Sequence, residues 1–205
     1  MSTYKLTYFN IHGRAEPIRF LLSYLNINFE DCRIEKEQWA SVKPNTPFGK
    51  LPMLEVDGKV LHQTLAICRY LGKKAGLAGD NDWESVLIDI AVDNILDFWQ
   101  EIIIYFYNTN EVTKAELGKR LFEVTTPFYL DKFEKIVSEN GGYFVNDKLS
   151  WADIFFAAIW DYTKALVDID IVEGRPNLSK LQKTVLNIPQ IKLWTEKRPK
   201  NVRFY

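Results

Sequence analysis

The chain of 205 residues holds only two cysteines, Cys32 and Cys68, and two histidines, His12 and His62. The cysteines are far apart and in no Cys-x-x-Cys arrangement, which excludes a disulfide framework and a dithiol redox centre. Two histidines without clustered thiols make a poor zinc set, and no metal is expected. No run approaches the roughly 18 apolar residues of a membrane-spanning helix, and Met1-Ser2-Thr3-Tyr4-Lys5 has no apolar signal core. The expectation is a soluble, cytoplasmic protein with no membrane partner. An excess of charge is lacking too: 26 basic and 27 acidic side chains leave a net charge of −1, so nucleic acid is not an expected partner. There is no Ser/Gly/Pro-rich tract, and 47% hydrophobic with 26% charged residues is a globular composition.

What charge there is divides unevenly. Residues 1–80 carry 11 basic and 8 acidic side chains, a net of +3 against −4 for the rest, which favours a small anionic ligand on the N-terminal part. Tyr4 to Phe9 alternates as a strand, Pro17 and Ile18, Leu21, Leu22 and Leu25 follow as a helix, and Asn28 to Ile34 forms a second strand, which implies parallel pairing. After an irregular stretch with Pro44, Pro47 and Gly49, Pro52 to Val56 reads as a strand joined through Asp57-Gly58 to Lys59-Val60-Leu61, and a helix from Thr64 to Lys74 closes the unit. Residues 77–82 read as a linker. Beyond it the strand signal fades, and helices are expected near 83–107, 114–138, 151–166, 177–186 and 189–197. The division is then 1–76, an α/β domain; 77–82, a linker; and 83–205, an all-helical domain.

Proline enters a sheet at a strand's first residue or along an edge, because it has no N–H to donate. Leu51, before Pro52, is left with ladder groups that no neighbouring strand uses, and a peptide-like ligand could take them as an added strand. A guarded edge strand is the alternative. Lys50, Gln63 and Thr64 flank this feature, with Thr64 suited to cap the helix and its first-turn N–H groups suited to a carboxylate. Tyr8 ends the first strand, where a phenol could donate to a bound thiolate and lower its pKa; core packing is the other reading. Arg14 could stabilise the same anion or pair with Glu16. Trp39 and Lys43, spaced i, i+4, suit a carboxylate or an ordinary half-buried surface. Asp89, Asp93, Asp97 and Glu101 form an acidic stripe that is either solvated or faces a cation. Ser150-Trp151-Ala152-Asp153 has the capping-box spacing and reads as folding information.

Together the segments Lys5-Leu6-Thr7-Tyr8-Phe9-Asn10, Gly13-Arg14-Ala15-Glu16-Pro17-Ile18-Arg19, Pro47-Phe48-Gly49-Lys50-Leu51-Pro52, Leu54-Glu55-Val56-Asp57-Gly58, Ala66-Ile67-Cys68-Arg69-Tyr70-Leu71 and Ser150-Trp151-Ala152-Asp153 resemble the sigma class of glutathione transferases. That class includes insect and mollusc enzymes and a vertebrate prostaglandin D synthase. The resemblance implies an α/β thioredoxin-like N-terminal domain with a cis Pro52, an all-α helical-bundle C-terminal domain, and a homodimer. It implies glutathione as co-substrate and small hydrophobic electrophiles as second substrates. Tyr8, assisted by Arg14, would stabilise the thiolate. Trp39, Lys43 and Lys50 would hold the glycyl end, Leu51 and Pro52 the cysteinyl moiety, Gln63 and Thr64 the γ-glutamyl carboxylate, and Asp97 of the partner subunit its amine. Phe9, Ile11, Trp99, Ile104 and Tyr105 would line the second-substrate pocket. Four positions depart from the pattern: Thr64 stands for the usual Ser, Leu96 for an aspartate of the synthase's cation site, and Ile104 and Trp99 for a tryptophan and a methionine of its pocket. Conjugation is the leading activity, prostaglandin isomerisation or hydroperoxide reduction the alternative, and a non-catalytic, crystallin-like binding protein the reading from another class.

Overall fold

The structure is a computed structural model that describes residues 2–167, 170 and 172–200. The last five residues of the expected helical domain therefore lie outside the described residues. By contact the chain forms two compact units, 1–76 with 187–205, and 77–186.

The first unit is built on a four-stranded sheet of order β2-β1-β3-β4. In β1 (Tyr4–Phe9) the alternation puts Tyr4, Leu6 and Tyr8 in the core. Helix α1 (Glu16–Tyr24) carries the chain to β2 (Glu30–Ile34), which pairs parallel to β1, with Tyr8 opposite Arg33. β3 (Met53–Val56) runs antiparallel to β1 and to β4 (Lys59–His62). Asp57 and Gly58 have φ of +50° and +79°, the left-handed pair that a two-residue hairpin needs, and Asp57 Oδ1 accepts from the Thr3 N–H at 2.8 Å. β3 is thus an inner strand. Pro52, with a cis Leu51–Pro52 bond, stands just ahead of the first paired residue, so its missing N–H costs neither ladder a bond. The edge-strand alternative is overturned.

The Trp39 region is more regular than its prolines suggest. Short helix α2 (Trp39–Val42) is flanked by 3₁₀ turns at Lys36–Gln38 and Lys43–Asn45, and begins from a reciprocal Glu35/Gln38 capping box, with the Glu35 N–H donating to Gln38 Oε1 at 2.8 Å. Helix α3 (Thr64–Lys74) follows β4 directly.

A buried ionic hub joins these pieces. Glu16 and Arg19, both fully buried, are paired at 2.9 Å. Arg19 Nε also donates to Asp31 of β2, and its Nη1 donates to the carbonyls of Ile11 and His12 at 3.0 and 3.2 Å. Glu16 Oε1 accepts from Trp194 Nε1 and from Arg198 Nη1, each at 2.8 Å. Trp194 belongs to helix α9 (Pro189–Lys197; α4 to α8 follow below), and these bonds are why a helix grouped by sequence with the C-terminal bundle packs on the first unit. Among the described residues the ion pairs of Glu16 are to Arg19 and Arg198 rather than to the nearby Arg14 that sequence proximity suggests.

The second unit is helical. α4 (Asp82–Tyr107) starts where Asn81 accepts from the Glu84 N–H. α5 (Glu111–Arg120) and α6 (Thr126–Glu139) continue through a π-helical segment at Leu121–Thr125, ahead of Pro127, which has no N–H for the carbonyl four residues back. α7 (Trp151–Val167) runs through the core and α8 (Pro176–Leu186) covers it. The side chain of Asp153, fully buried, accepts from the Phe144 N–H, the Ser150 N–H and the Ser150 hydroxyl at 2.9, 2.7 and 2.8 Å, tying the loop before α7 to its first turn.

Asp153→Ala leaves two buried N–H groups without acceptors and should lower unfolding free energy by about 2–4 kcal/mol in urea titration, with Asp153→Asn in between. Burial pushes the Asp153 carboxyl up, against the bonds that favour its ionised form, to about 6 from 3.8. Its contribution therefore makes the fold less stable as pH rises from about 4 to 6. Glu16 has the opposite sign. Burial would raise it, but Arg19, His12 and Arg198 outweigh burial and hold it at about 2, below the ordinary 4.5. Its stabilisation is complete above about pH 4.5 and lost as pH falls toward 2. Glu16→Gln, which leaves Arg19 and Arg198 short of a counter-charge, should cost roughly 3–5 kcal/mol and flatten the acid limb of a stability–pH curve.

Candidate active site

The sheet register brings several chain ends to one place. Thr7 faces Met53 and Met53 faces His62, so the last residues of β1, the residues just before β3 and the residue after β4 meet at a single end of the sheet. β2 ends there too, since Phe9 faces Ile34, and leads into the Trp39 segment. Tyr8, Leu51, Pro52 and Gln63 are thereby grouped, although 55 positions separate the first from the last.

Tyr8 is buried, and its hydroxyl accepts from the backbone N–H of Arg14 at 3.2 Å. The phenolic proton is left to point elsewhere. Gly13 explains how the loop comes so close: its φ is +45°, and a Cβ there would lie 2.9 Å from the Tyr8 hydroxyl. The Tyr8 ring meets Phe9 edge-on at 5.6 Å, and Phe9 meets Trp39 in the same manner at 5.2 Å. Ile11 is buried, with its carbonyl held by Arg19. Trp39 is half-buried, and the exposed Lys43 crosses Gly49, where a Cβ would meet its Cε at 3.2 Å, beside the exposed Lys50.

Leu51 lies outside both ladders, and its N–H and C=O make no backbone hydrogen bond among the described residues. An extended ligand can use them. Gln63 is the unexpected residue. It sits at φ +72°, ψ 114°, a strained geometry for a side chain with a Cβ, as the N-cap of α3, and its exposed side chain does not cap the helix. Thr64, expected as the cap, is instead the first helical residue and buried. Ile67 N–H is bonded to Gln63 O, so the N–H groups of the preceding first turn have no acceptor within the helix and form an anion-binding end.

The remaining candidates belong to the second unit. Asp97 is exposed on α4; burial, then Asp97 and Glu101, push the Tyr129 hydroxyl pKa up, so the acidic stripe acts on a neighbouring helix. Trp99 is buried with its ring 6.4 Å from Tyr162, Ile104 is about half exposed, and Tyr105 packs on Phe122 at 5.4 Å and against Gly118. These three side chains have different surroundings. Cys68 is buried, and burial drives its thiol pKa far up, which makes it unreactive. Among the described residues no group of three or more His, Cys, Asp or Glu is placed to hold a metal ion, and no helix is long and apolar enough to cross a membrane.

Sequence reasoning missed Glu16 and Arg19 as residues that shape the Tyr8 loop. The one available signal was the Gly13 turn; the ion pairs to distant segments leave none.

Two family models match the chain: the glutathione S-transferase N-terminal domain over residues 4–73 and the glutathione S-transferase C-terminal domain over 96–198. A glutathione S-transferase of Anopheles gambiae is 43% identical over 97% of this chain and 98% of its own. The haematopoietic prostaglandin D synthase of Homo sapiens is 37% identical over 97% and 98%. The solved structure of a prostaglandin synthase D of Nilaparvata lugens, 49% identical, superposes with a TM-score of 0.93 over 97% of this chain and 99% of that one. With both domains matched in order and relatives aligned end to end, the chain belongs to the glutathione S-transferase family, in its sigma-like branch.

Proposed function

We propose that the protein ionises the thiol of glutathione at Tyr8 and adds the thiolate to hydrophobic electrophiles. The observation that carries this is the convergence of the Tyr8 hydroxyl, the unpaired backbone of Leu51 and the strained Gln63 at one end of the sheet. The spacing suits a tripeptide lying across that end. Its cysteinyl backbone pairs with Leu51 beside Pro52. Trp39, Lys43 and Lys50 take the glycyl carboxylate, Gln63, Thr64 and the α3 N-terminus take the γ-glutamyl carboxylate, and Asp97 of the partner subunit takes the amine. Residues 1–76 are then the glutathione-binding domain.

The Tyr8 O–H donates to sulfur, with Arg14 adding positive charge, and a hydrogen bond to the charged form lowers the thiol pKa. The thiol proton leaves to solvent. The thiolate attacks the electrophilic carbon, a C–S bond forms, and a halide or other leaving group departs with its electron pair. Phe9 and Ile11 supply apolar walls beside the sulfur, and Trp99, Ile104 and Tyr105 are the candidates from the helical unit. Because apolar pockets discriminate weakly, several electrophiles should be accepted. A homodimer is supported by large exposed apolar side chains: Phe48, exposed by 73%, on the first unit, and Ile90 and Phe128 on the second.

A second reading, glutathione-dependent isomerisation of a prostaglandin endoperoxide, is favoured by the 49% identity to the prostaglandin synthase D of Nilaparvata lugens. Product analysis with prostaglandin H, a chloronitrobenzene and an organic hydroperoxide distinguishes conjugation, isomerisation and peroxide reduction.

Tyr8→Phe should raise the pH at which bound glutathione ionises by about 2 units, a loss of about 2.7 kcal/mol of thiolate stabilisation, read from thiolate absorbance. An unshifted titration rejects the assignment. Sedimentation equilibrium should give twice the chain mass, and Asp97→Asn should weaken glutathione binding without moving that titration.

A further inference from the structure

The loop between β1 and α1 is held from a distant part of the chain. His12 is buried, and its Nε2 lies 3.1 Å from the carbonyl oxygen of Pro199. A carbonyl only accepts, so Nε2 carries the proton and donates. The residue before Pro199, Arg198, donates to Glu16 Oε1 at 2.8 Å, and the His12 carbonyl in turn accepts from Arg19. The segment 198–199 is therefore pinned to residues 12 and 16 by two separate bonds, one at each end of the turn that contains Gly13 and Arg14. Among the described residues, Glu16 interacts electrostatically with His12, and Arg19 and Arg198 both bond to Glu16.

That turn delivers the Arg14 N–H to the Tyr8 hydroxyl. A hydroxyl that accepts a hydrogen bond is polarised into a better donor, so the phenol's grip on an anion depends on where the turn sits. Ile11, on the other side of His12, has its carbonyl on the same Arg19 Nη1. We infer that His12 is a positioning residue for the thiolate: its bond to Pro199 fixes the 12–14 turn and thereby sets how strongly Tyr8 stabilises the glutathione sulfur. The inference rests on the proposed role of Tyr8.

The test is the absorbance titration of bound glutathione in His12→Leu, which keeps the apolar bulk and removes the donor, and in His12→Gln, whose amide restores one. His12→Leu should raise the thiolate pKa by about half a unit to one unit, a roughly three- to tenfold smaller thiolate fraction at a fixed pH below it, with glutathione affinity unchanged within about twofold. His12→Gln should return the titration toward wild type. If His12→Leu does not fold, His12→Phe serves as the donor-free variant. An unmoved pKa beside a raised one in Tyr8→Phe overturns the role of His12 alone. Equal shifts in the Leu and Gln variants also overturn it, because then the bond to Pro199 is not what matters. If Tyr8→Phe itself leaves the titration unmoved, the reading of the site falls first.

Discussion

The buried Glu16–Arg19 pair is the interaction on which the first unit depends. A carboxylate and a guanidinium removed from water lose solvation that one ion pair does not restore, so each needs further hydrogen bonds. Here those bonds are the architecture. Arg19 places Nε on Asp31 and Nη1 on the carbonyls of Ile11 and His12, with only Nη2 left unbonded among the described residues; Glu16 accepts from Trp194 and Arg198. One pair thereby joins β2, α1, the β1–α1 turn and α9. The turn it fixes is the one in which Gly13 lets the backbone reach the Tyr8 hydroxyl, which links a stability element to the proposed chemistry of Tyr8 by a path of named bonds.

The chemistry we propose follows from where the sheet ends. Antiparallel pairing of β1 with β3 and of β3 with β4 sets the close of β1 beside the opening of β3 and the close of β4. An unpaired stretch of backbone, a helix N-terminus and a phenol then share one face. These are the groups that an extended peptide with an anionic end and a thiol requires. The strain at Gln63 fits such a place, since a side chain with a Cβ is held at positive φ only where the surroundings enforce it.

Much of this was legible in the sequence. The 2.0 and 3.6 periodicities gave the strand and helix order, and Asp57-Gly58 gave the hairpin with the φ values it takes. Tyr8, Leu51 and Gln63 stand out as candidates because their oddness is local: a phenol at a strand end, a residue before a strand-opening proline, a polar side chain where a strand becomes a helix. Other features required the third dimension. Nothing near Pro52 says that β3 has a neighbour on each side. Glu16 looks like a surface partner for Arg14, and its partners Trp194 and Arg198 lie more than 175 positions away. The N-cap of α3 was misplaced by one residue, because Thr is a better intrinsic cap than Gln and the backbone strain that shifts the boundary has no sequence signature. The short α2 helix did have a signal, the Glu35-x-x-Gln38 spacing, hidden among prolines.

The second substrate is less determined than the first. Trp99 is turned into the helical core and Ile104 faces out, so the apolar candidates differ widely in exposure, whereas Tyr8, Leu51 and Gln63, which we propose for glutathione, lie at one end of the sheet. The most direct measurement is a crystal structure with glutathione bound. The account predicts the sulfur at hydrogen-bond distance from the Tyr8 hydroxyl, the cysteinyl backbone paired with Leu51, and the γ-glutamyl carboxylate at Gln63 and the start of α3. Glutathione bound away from that end of the sheet, or with its sulfur out of reach of Tyr8, would contradict it.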